Sequence, residues 1–138
     1  MKITTGFAAA AVLVGAAVGL ASPAWADDFN GTYNYSTSGG ATSTWTVTPC
    51  GPGCAHVVTK ITNADAHLTN GQWVLVSHYD APNGIRCNDG TQVASTRTFT
   101  WDATTLQGQV SDVSDGPACG VAGSYTPAPV PFSLTKVS

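Results

Sequence analysis

The stretch Trp45-Thr-Val-Thr-Pro-Cys-Gly-Pro-Gly-Cys54 decides the fold, because it combines a strand, a tight turn and two cysteines. Polar and apolar residues alternate over Thr44–Thr48, which is the period of a half-buried β-strand. Pro49 ends that pattern, and Gly51-Pro52-Gly53 between the two cysteines is a strong turn signal. A second strand pattern starts directly after the turn. The stretch therefore predicts a β-hairpin with a disulfide across its turn.

The same alternation recurs along the chain. It predicts eight strands, at Gly31–Ser36, Thr42–Thr48, Ala55–Thr62, Asp65–Thr69, Gln72–His78, Gln92–Trp101, Leu106–Asp112 and Phe132–Val137. Asn70-Gly71 favours a two-residue hairpin turn, Asp27–Asn30 is a polar lead-in, and the segments 79–91 and 114–131 predict long loops. Short strands at this spacing indicate an all-β fold, namely a small antiparallel eight-stranded barrel or, alternatively, a β-sandwich. The barrel is favoured because its closure removes exposed strand edges.

The first 26 residues are typical of a secretory signal peptide. Lys2 supplies a basic start, Ala8–Leu20 is an apolar run, and Ala24-Trp25-Ala26 is a small-x-small cleavage site. The apolar run is shorter than the roughly 20 residues that a membrane span needs. We therefore expect residues 1–26 to be removed and residues 27–138 to form a single secreted or extracytoplasmic β domain without a membrane span.

Charged side chains are sparse. The chain contains five Lys and Arg residues and eight Asp, with no Glu, and its formal net charge is −3 at pH 7 with His neutral. A mildly acidic chain lacks the basic patch that binding to a phosphate backbone requires, so a nucleic-acid partner is not expected.

The four cysteines predict two disulfides, since an even number in a small exported chain is typical of a disulfide framework. Three pairings remain open from the sequence. Cys50–Cys54 with Cys87–Cys119 is favoured, because the Gly-Pro-Gly turn brings the first pair together. A zinc site with four thiolates is the alternative, and the lack of a second short cysteine pair argues against it. We expect neither a metal nor a cofactor.

Arg97 is the main candidate for a binding residue. By strand alternation it shares a face with Phe99 and Trp101, which should point inward. One interpretation is an anchor for an anionic ligand near Trp101. The other, which we favour, is a salt bridge to an Asp or a bulge that turns Arg97 to solvent, because charges are rarely buried unpaired. The candidate ligand-binding set is Arg97, Trp101, Trp73 and Tyr35.

Two further groupings bear on metal binding and catalysis. The spacing of His56, His67 and His78 would suit a zinc or copper site only if the strands brought the imidazoles together, and isolated surface histidines are favoured. Asp80 and Asp89 share one loop and fit ordinary turn chemistry, and Asp102 and Asp112 are interpreted as turn or strand-end residues. No motif of a nucleophile, a phosphate loop or a zinc hydrolase is present, so we expect no catalytic residues and no enzyme.

Several motifs are similar to those of small secreted β proteins of unknown function from mycobacteria and other actinobacteria. They are Gly31-Thr32-Tyr33, Trp45 to Ala55 with its CGPGC core, Asn70 to Trp73, Cys87 to Gly90, and Trp101 to Gly108. These sequences also resemble the extracytoplasmic domains of some membrane Ser/Thr kinases. The short Gly31-Thr32-Tyr33 motif is similar to the first strand of lipocalin and avidin barrels. The resemblance implies a binding, sensor or envelope role.

Three functions follow as expectations. The first is a secreted, non-catalytic binding module for a small or lipidic cell-envelope ligand held inside the barrel. The second is a protein-interaction or sensor-like module at the cell envelope or host interface, with an envelope protein as its partner and the loops 79–91 and 114–131 as its surface. A small secreted hydrolase is the third. A filled interior would argue against the first.

Overall fold

The alternating segments form strands in all eight predicted regions. The structure is a computed structural model that describes residues 29–138. The predicted signal peptide lies outside the described residues. The strands are β1 (Gly31–Thr37), β2 (Thr42–Gly51), β3 (Cys54–Val58), β4 (Asn63–Thr69), β5 (Gln72–Tyr79), β6 (Ile85–Arg86), β7 (Gln92–Val93), β8 (Ser95–Asp102), β9 (Gln107–Ser114), β10 (Pro117–Ala118), β11 (Val121–Ser124) and β12 (Val130–Lys136), with one 3₁₀ turn at Ala81–Asn83.

Eight of these strands form a closed antiparallel barrel in the order β1-β2-β3-β4-β5-β8-β9-β12. Each barrel strand pairs with the next barrel strand along the chain, and β12 closes the sheet by pairing with both β9 and β1. The register places Val130 opposite Val110 on one side of β12, and Leu134 opposite Tyr35 on the other. The predicted eight-stranded barrel is therefore confirmed, and the sandwich alternative is wrong.

The predicted strand Gln92–Trp101 is two strands. Gln92–Val93 pairs with β6 in a separate short hairpin, and Ser95–Asp102 belongs to the barrel. In this hairpin the backbone at residue 84 lies close to Val93. Only glycine fits there, because a Cβ atom on Gly84 would lie 2.0 Å from the carbonyl oxygen of Val93. The predicted loops 79–91 and 114–131 also contain short strands, which form the hairpins β6–β7 and β10–β11.

The two ends of the barrel differ. At the closed end, tight turns join β2 to β3, β4 to β5 and β8 to β9. At the open end lie the β1–β2 and β3–β4 connections and the two longer connections that carry the extra hairpins. Inward-facing apolar side chains fill the closed end and the middle of the barrel: Tyr33, Trp45, Val47, Val57, Ala66, Trp73, Leu75, Phe99, Trp101, Phe132 and Leu134 are all buried.

Phe29 shows that the predicted polar lead-in is wrong at its third residue. The side chain is only 3% exposed, although it precedes the first strand. Its ring centroid lies 4.8 Å from that of Tyr33, 5.3 Å from that of Trp73 and 5.4 Å from that of Trp101. Phe29 therefore packs against the rings of the closed end, where it contributes apolar burial that strand alternation does not predict.

The disulfides pair as predicted. Cys50–Cys54 spans the turn between β2 and β3, and Cys87–Cys119 joins the tip of the β6–β7 hairpin to the tip of the β10–β11 hairpin. All four sulfurs are used, so the four-thiolate zinc alternative is wrong. No helix within residues 29–138 is long and apolar enough to cross a membrane.

Candidate ligand-binding site

A cavity of about 460 Å³ occupies the barrel towards its open end. It forms because the inward-facing positions there carry short or polar side chains, such as Thr37, Ser43, Thr62 and Val110, where the closed end carries large rings. Ligand pockets in proteins usually measure about 300–1,000 Å³. The cavity therefore has the volume of a site for a small molecule.

Aromatic rings form the floor of the cavity. Trp45 and Phe99 are 3% and 7% exposed, and their rings meet edge to face with centroids 5.5 Å apart. Tyr35 stacks on Trp45, with centroids 5.3 Å apart and an angle of 12° between the rings. The floor of the cavity is therefore apolar, because it consists of these aromatic side chains.

A charged pair lies in the wall of the cavity. Register places Arg97 on β8 directly opposite Asp112 on β9. Nε of Arg97 donates to Oδ2 of Asp112 at 2.8 Å, and Nη2 lies 2.8 Å from the same oxygen. Nη2 also donates to the carbonyl oxygen of Asn83, and the guanidinium lies 4.4 Å from the centre of the Tyr79 ring. Arg97 thus forms the salt bridge that we favoured from the sequence over an unpaired anion anchor.

Hydroxyl groups complete the polar part of the wall, from seven residues: Tyr35, Thr37, Ser43, Thr59, Thr62, Tyr79 and Ser111. The hydroxyls of Thr62 and Tyr79 form a buried hydrogen bond with each other. The hydroxyl of the half-buried Tyr35 bonds to none of the described residues. Burial raises the pKa of Tyr35, an effect that the nearby positive charge of Arg97 partly opposes. The Tyr35 hydroxyl is therefore a protonated group available to a ligand at neutral pH.

The mouth of the cavity is apolar. Ile61 follows β3 and is 48% exposed, and Val130 at the start of β12 is 38% exposed. Pro127 and Ala128, from the segment before β12, also line the cavity. A hydrophobic ligand would therefore meet apolar side chains on its way into the barrel.

The structure brings together two of the four predicted binding residues. Tyr35 and Arg97 both line the cavity. Trp73 and Trp101 lie in the filled closed end, 0% and 1% exposed, with ring centroids 6.4 Å apart. These two indoles pack in the core below the cavity.

The sequence prediction missed Asp112 as part of this site. Instead of ending its strand, Asp112 lies within β9 and lines the cavity, so its interpretation as a turn or strand-end residue is wrong. One signal could have found it. Counting outward from the turn between Trp101 and Gly108, which are paired, places Asp112 opposite Arg97. Tyr79 and Thr62 were missed because each lies at or just beyond a predicted strand end.

The three histidines do not form a cluster with metal-ligand spacing. His56 Nδ1 lies 2.6 Å from an oxygen of Asp65, His78 Nε2 lies 2.5 Å from an oxygen of Asp115, and His67 is exposed. Among residues 29–138, the one grouping with metal-ligand spacing is Cys50, Cys54 and Asp65, and its two sulfurs form a disulfide. The histidines of this part of the chain are thus surface residues, two of them paired with carboxylates.

The loop carboxylates support turns. Asp89 accepts a hydrogen bond from the backbone N–H of Thr91, and Asp102 accepts two, from Thr104 and Thr105. These hydrogen bonds lower the pKa of Asp89 and that of Asp102, because they stabilise the ionised carboxylates. Both side chains therefore have a structural role in their turns.

No protein-family model, curated protein or solved structure matches the chain.

Proposed function

We propose that this protein is an exported, non-catalytic binding module that holds a small or lipidic amphipathic ligand of the cell envelope inside its barrel. The observation that carries the proposal is the cavity of about 460 Å³ above an aromatic floor. Apolar pockets with a few convergent polar groups are the usual form of small-molecule sites.

The distribution of side chains supports an amphipathic ligand. Trp45 and Phe99 offer an apolar floor, whereas Arg97, Asp112 and the Tyr35 hydroxyl form a polar wall on top of it. A ligand with an apolar body and a polar headgroup satisfies both surfaces at once. The apolar mouth at Ile61 and Val130 suits entry of the same kind of molecule.

Packing supports the same conclusion. The rings that line an empty cavity lose van der Waals contacts on one side, which costs stability that a filled core would keep. Large aromatic residues pack against one another at the closed end. Small residues at Ser43 and Val110 leave the open end unfilled, as expected for a site that a ligand occupies.

Native mass spectrometry of the oxidised protein, purified from an exporting host, tests this proposal. We expect a non-covalent adduct in the native spectrum that disappears on denaturation, and a covalent mass four hydrogens below that of the reduced chain. Val110→Phe should abolish the adduct by filling the cavity. Gln109→Phe is the matched control, because Gln109 is the exposed neighbour on the same strand. Equal adducts in both variants would place the ligand outside the cavity.

Export is part of this proposal. Two disulfides are consistent with an extracytoplasmic protein, because thiols stay reduced in the cytosol. N-terminal sequencing of the secreted protein should begin at Asp27. A protein retained in the cytoplasm with Met1 at its start would contradict export.

A protein-interaction module is the second candidate, and one observation favours it. Every residue of β11 (Val121–Ser124) is exposed, and the disulfide Cys87–Cys119 holds the neighbouring hairpin tips together. A rigid exposed strand can pair with a strand of a partner. Two results together would support this candidate over ligand binding. The native mass spectrum would show no adduct, and the protein would retain an envelope protein in a pull-down that the Ala122→Pro variant loses.

A further inference from the structure

We infer that the cavity selects uncharged ligands, namely amphiphiles whose apolar body rests on Trp45 and whose hydroxyl or carbonyl headgroup bonds to the Tyr35 hydroxyl. The inference rests on the proposed function and gives it a substrate class. It excludes the carboxylate of a fatty acid and the ammonium of an amine as preferred headgroups.

The charges that line the cavity balance each other. Arg97 and Asp112 are the charged residues that line the cavity, and they carry opposite charges. Their side-chain atoms approach to 2.8 Å, so each charge has its partner within the wall. The cavity therefore presents no net charge to a ligand. A charged headgroup would lose its hydration without gaining a free counter-charge, which is costly in a poorly hydrated site.

The charged pair is also mostly buried. The side chains of Arg97 and Asp112 are 18% and 14% exposed. A ligand carboxylate could reach the guanidinium fully only by displacing Asp112, whose own charge would then be buried without a partner. Oδ1 of Asp112 is already buried with no hydrogen bond from the described residues, and its partial charge disfavours a second anion beside it.

Hydrogen bonds within the wall leave few of its polar groups free to bind a ligand. The Thr62 and Tyr79 hydroxyls bond to each other, and the guanidinium bonds through Nε and Nη2 to Asp112 and Asn83. The Tyr35 hydroxyl, by contrast, has no hydrogen-bond partner among the described residues, and neither have the Ser43 and Ser111 hydroxyls in the same lining. Of these three residues, Tyr35 is the one whose ring stacks on Trp45 in the aromatic floor. It can donate to a carbonyl or exchange a hydrogen bond with an alcohol. A neutral headgroup of either kind matches it.

A matched ligand series tests the inference. 2-Naphthylmethanol, 2-naphthoate and 2-naphthylmethylamine share one apolar body and differ in headgroup charge, and 1-decanol, decanoate and decylamine repeat the series with a flexible body. Equilibrium dialysis at pH 7 against the oxidised secreted protein gives each Kd. We expect at least one alcohol to bind, and to bind at least tenfold more tightly than its acid and its amine.

The outcomes separate the two proposals. An acid or amine that binds as tightly as its alcohol overturns the charge selectivity and leaves the binding function intact. If no member of either series binds, the cavity is not a site for small amphiphiles, and both proposals fail.

Variants of the pair sharpen the test. Asp112→Asn leaves the guanidinium unpaired and should shift the preference to the carboxylate, and Arg97→Gln should shift it to the amine. Unchanged preference in folded variants would overturn the inference.

Where these variants do not fold, Tyr35→Phe tests the headgroup contact alone. It should weaken binding of 2-naphthylmethanol about fivefold, which is the typical effect of one lost hydrogen bond. Binding of 2-methylnaphthalene should not change, because that ligand has no headgroup. Equal loss for both ligands, or no loss for either, would overturn the assignment of Tyr35.

Discussion

The guanidinium of Arg97 and the carboxylate of Asp112 meet at 2.8 Å inside the barrel, because register places them opposite each other on β8 and β9. Each of these mostly buried charges would be unfavourable alone in the wall of the cavity, and each is compensated by the other. Arg97 also donates to the carbonyl oxygen of Asn83 in the 3₁₀ turn after β5. Arg97 thus links the barrel wall to the segment between β5 and β8, which carries the β6–β7 hairpin.

Asp112→Asn should destabilise the protein markedly. Removing one member of a buried pair leaves the other charge without a partner, which costs about 3 kcal/mol. Urea unfolding followed by tryptophan fluorescence measures the loss. Asp65→Asn is the control, because its partner His56 is at the surface, and such pairs contribute about 1 kcal/mol or less. Similar losses in both variants would show that Arg97 does not depend on Asp112.

The double variant Arg97→Met with Asp112→Leu should lose less stability than the two single variants together. It removes both charges, so neither is left buried alone. The double-mutant cycle is measured by the same urea unfolding. Additive losses would contradict a direct interaction between the two side chains.

Phe29→Ala should reduce the free energy of unfolding by about 3 kcal/mol, the usual cost of truncating a buried phenylalanine. Phe29 packs against Tyr33, Trp73 and Trp101 at the closed end, so the truncation opens a void among rings. Thermal and urea unfolding measure the effect. Val76→Ala is the control for a loss of apolar area at an exposed site, since Val76 is 55% exposed. A loss below 1 kcal/mol for Phe29→Ala would mean that residue 29 does not pack against this end in solution.

The two disulfides should differ in their contribution to stability. Cys87–Cys119 closes the longer loop, with a sequence separation of 32 against 4 for Cys50–Cys54. The chain-entropy model gives about 3–4 kcal/mol for the longer loop and about 2 kcal/mol for the shorter one. Paired Cys→Ser variants, compared by urea unfolding, measure both. The reverse order would show that the short disulfide stabilises the β2–β3 turn by more than loop entropy.

Protonation of His78 should depend on Asp115. Their hydrogen bond raises the pKa of His78 above its ordinary value of 6.5, because the carboxylate stabilises the charged imidazole. Since the folded-state pKa is the higher one, this pair's contribution is complete below the unfolded-state pKa. It is lost as the pH rises through the folded-state pKa.

NMR titration of the imidazole protons measures the shift. Asp115→Asn should lower the pKa of His78, whereas Asp65→Asn, which removes the partner of a different histidine, should leave it in place. A His78 pKa unaffected by the Asp115 substitution would mean that this surface pair does not form in solution.

Local sequence patterns were sufficient for most of the strands. Alternation places Trp73 and Leu75 inside the barrel and Val76 outside it. In the structure Trp73 and Leu75 are fully buried, and Val76 is exposed. Period-2 alternation works here because every barrel strand has one face in the core and one in solvent. The short disulfide was equally local, since a Gly-Pro-Gly turn brings Cys50 and Cys54 together with no help from the rest of the chain.

Contacts between distant residues were not predictable in the same way. Phe29 has no alternating neighbours, and its burial depends on the rings of Trp73 and Trp101 that closure of the barrel brings to it. The strand breaks at Ala94, where Gln92–Val93 pairs in a separate hairpin and Gly84 lies close to Val93, and no local pattern encodes these contacts.

The sequence by itself determined the strands, their inward faces and the cysteine turn, because these depend on residues that are neighbours along the chain. Only the tertiary structure decided that the sheet closes and that its open end stays unfilled. It also decided that Arg97 pairs with Asp112 in the wall of that space. The physical reason is that the volume of a cavity is the volume that the closed sheet encloses minus the volume of the side chains directed into it. Neither strand alternation nor composition gives that difference.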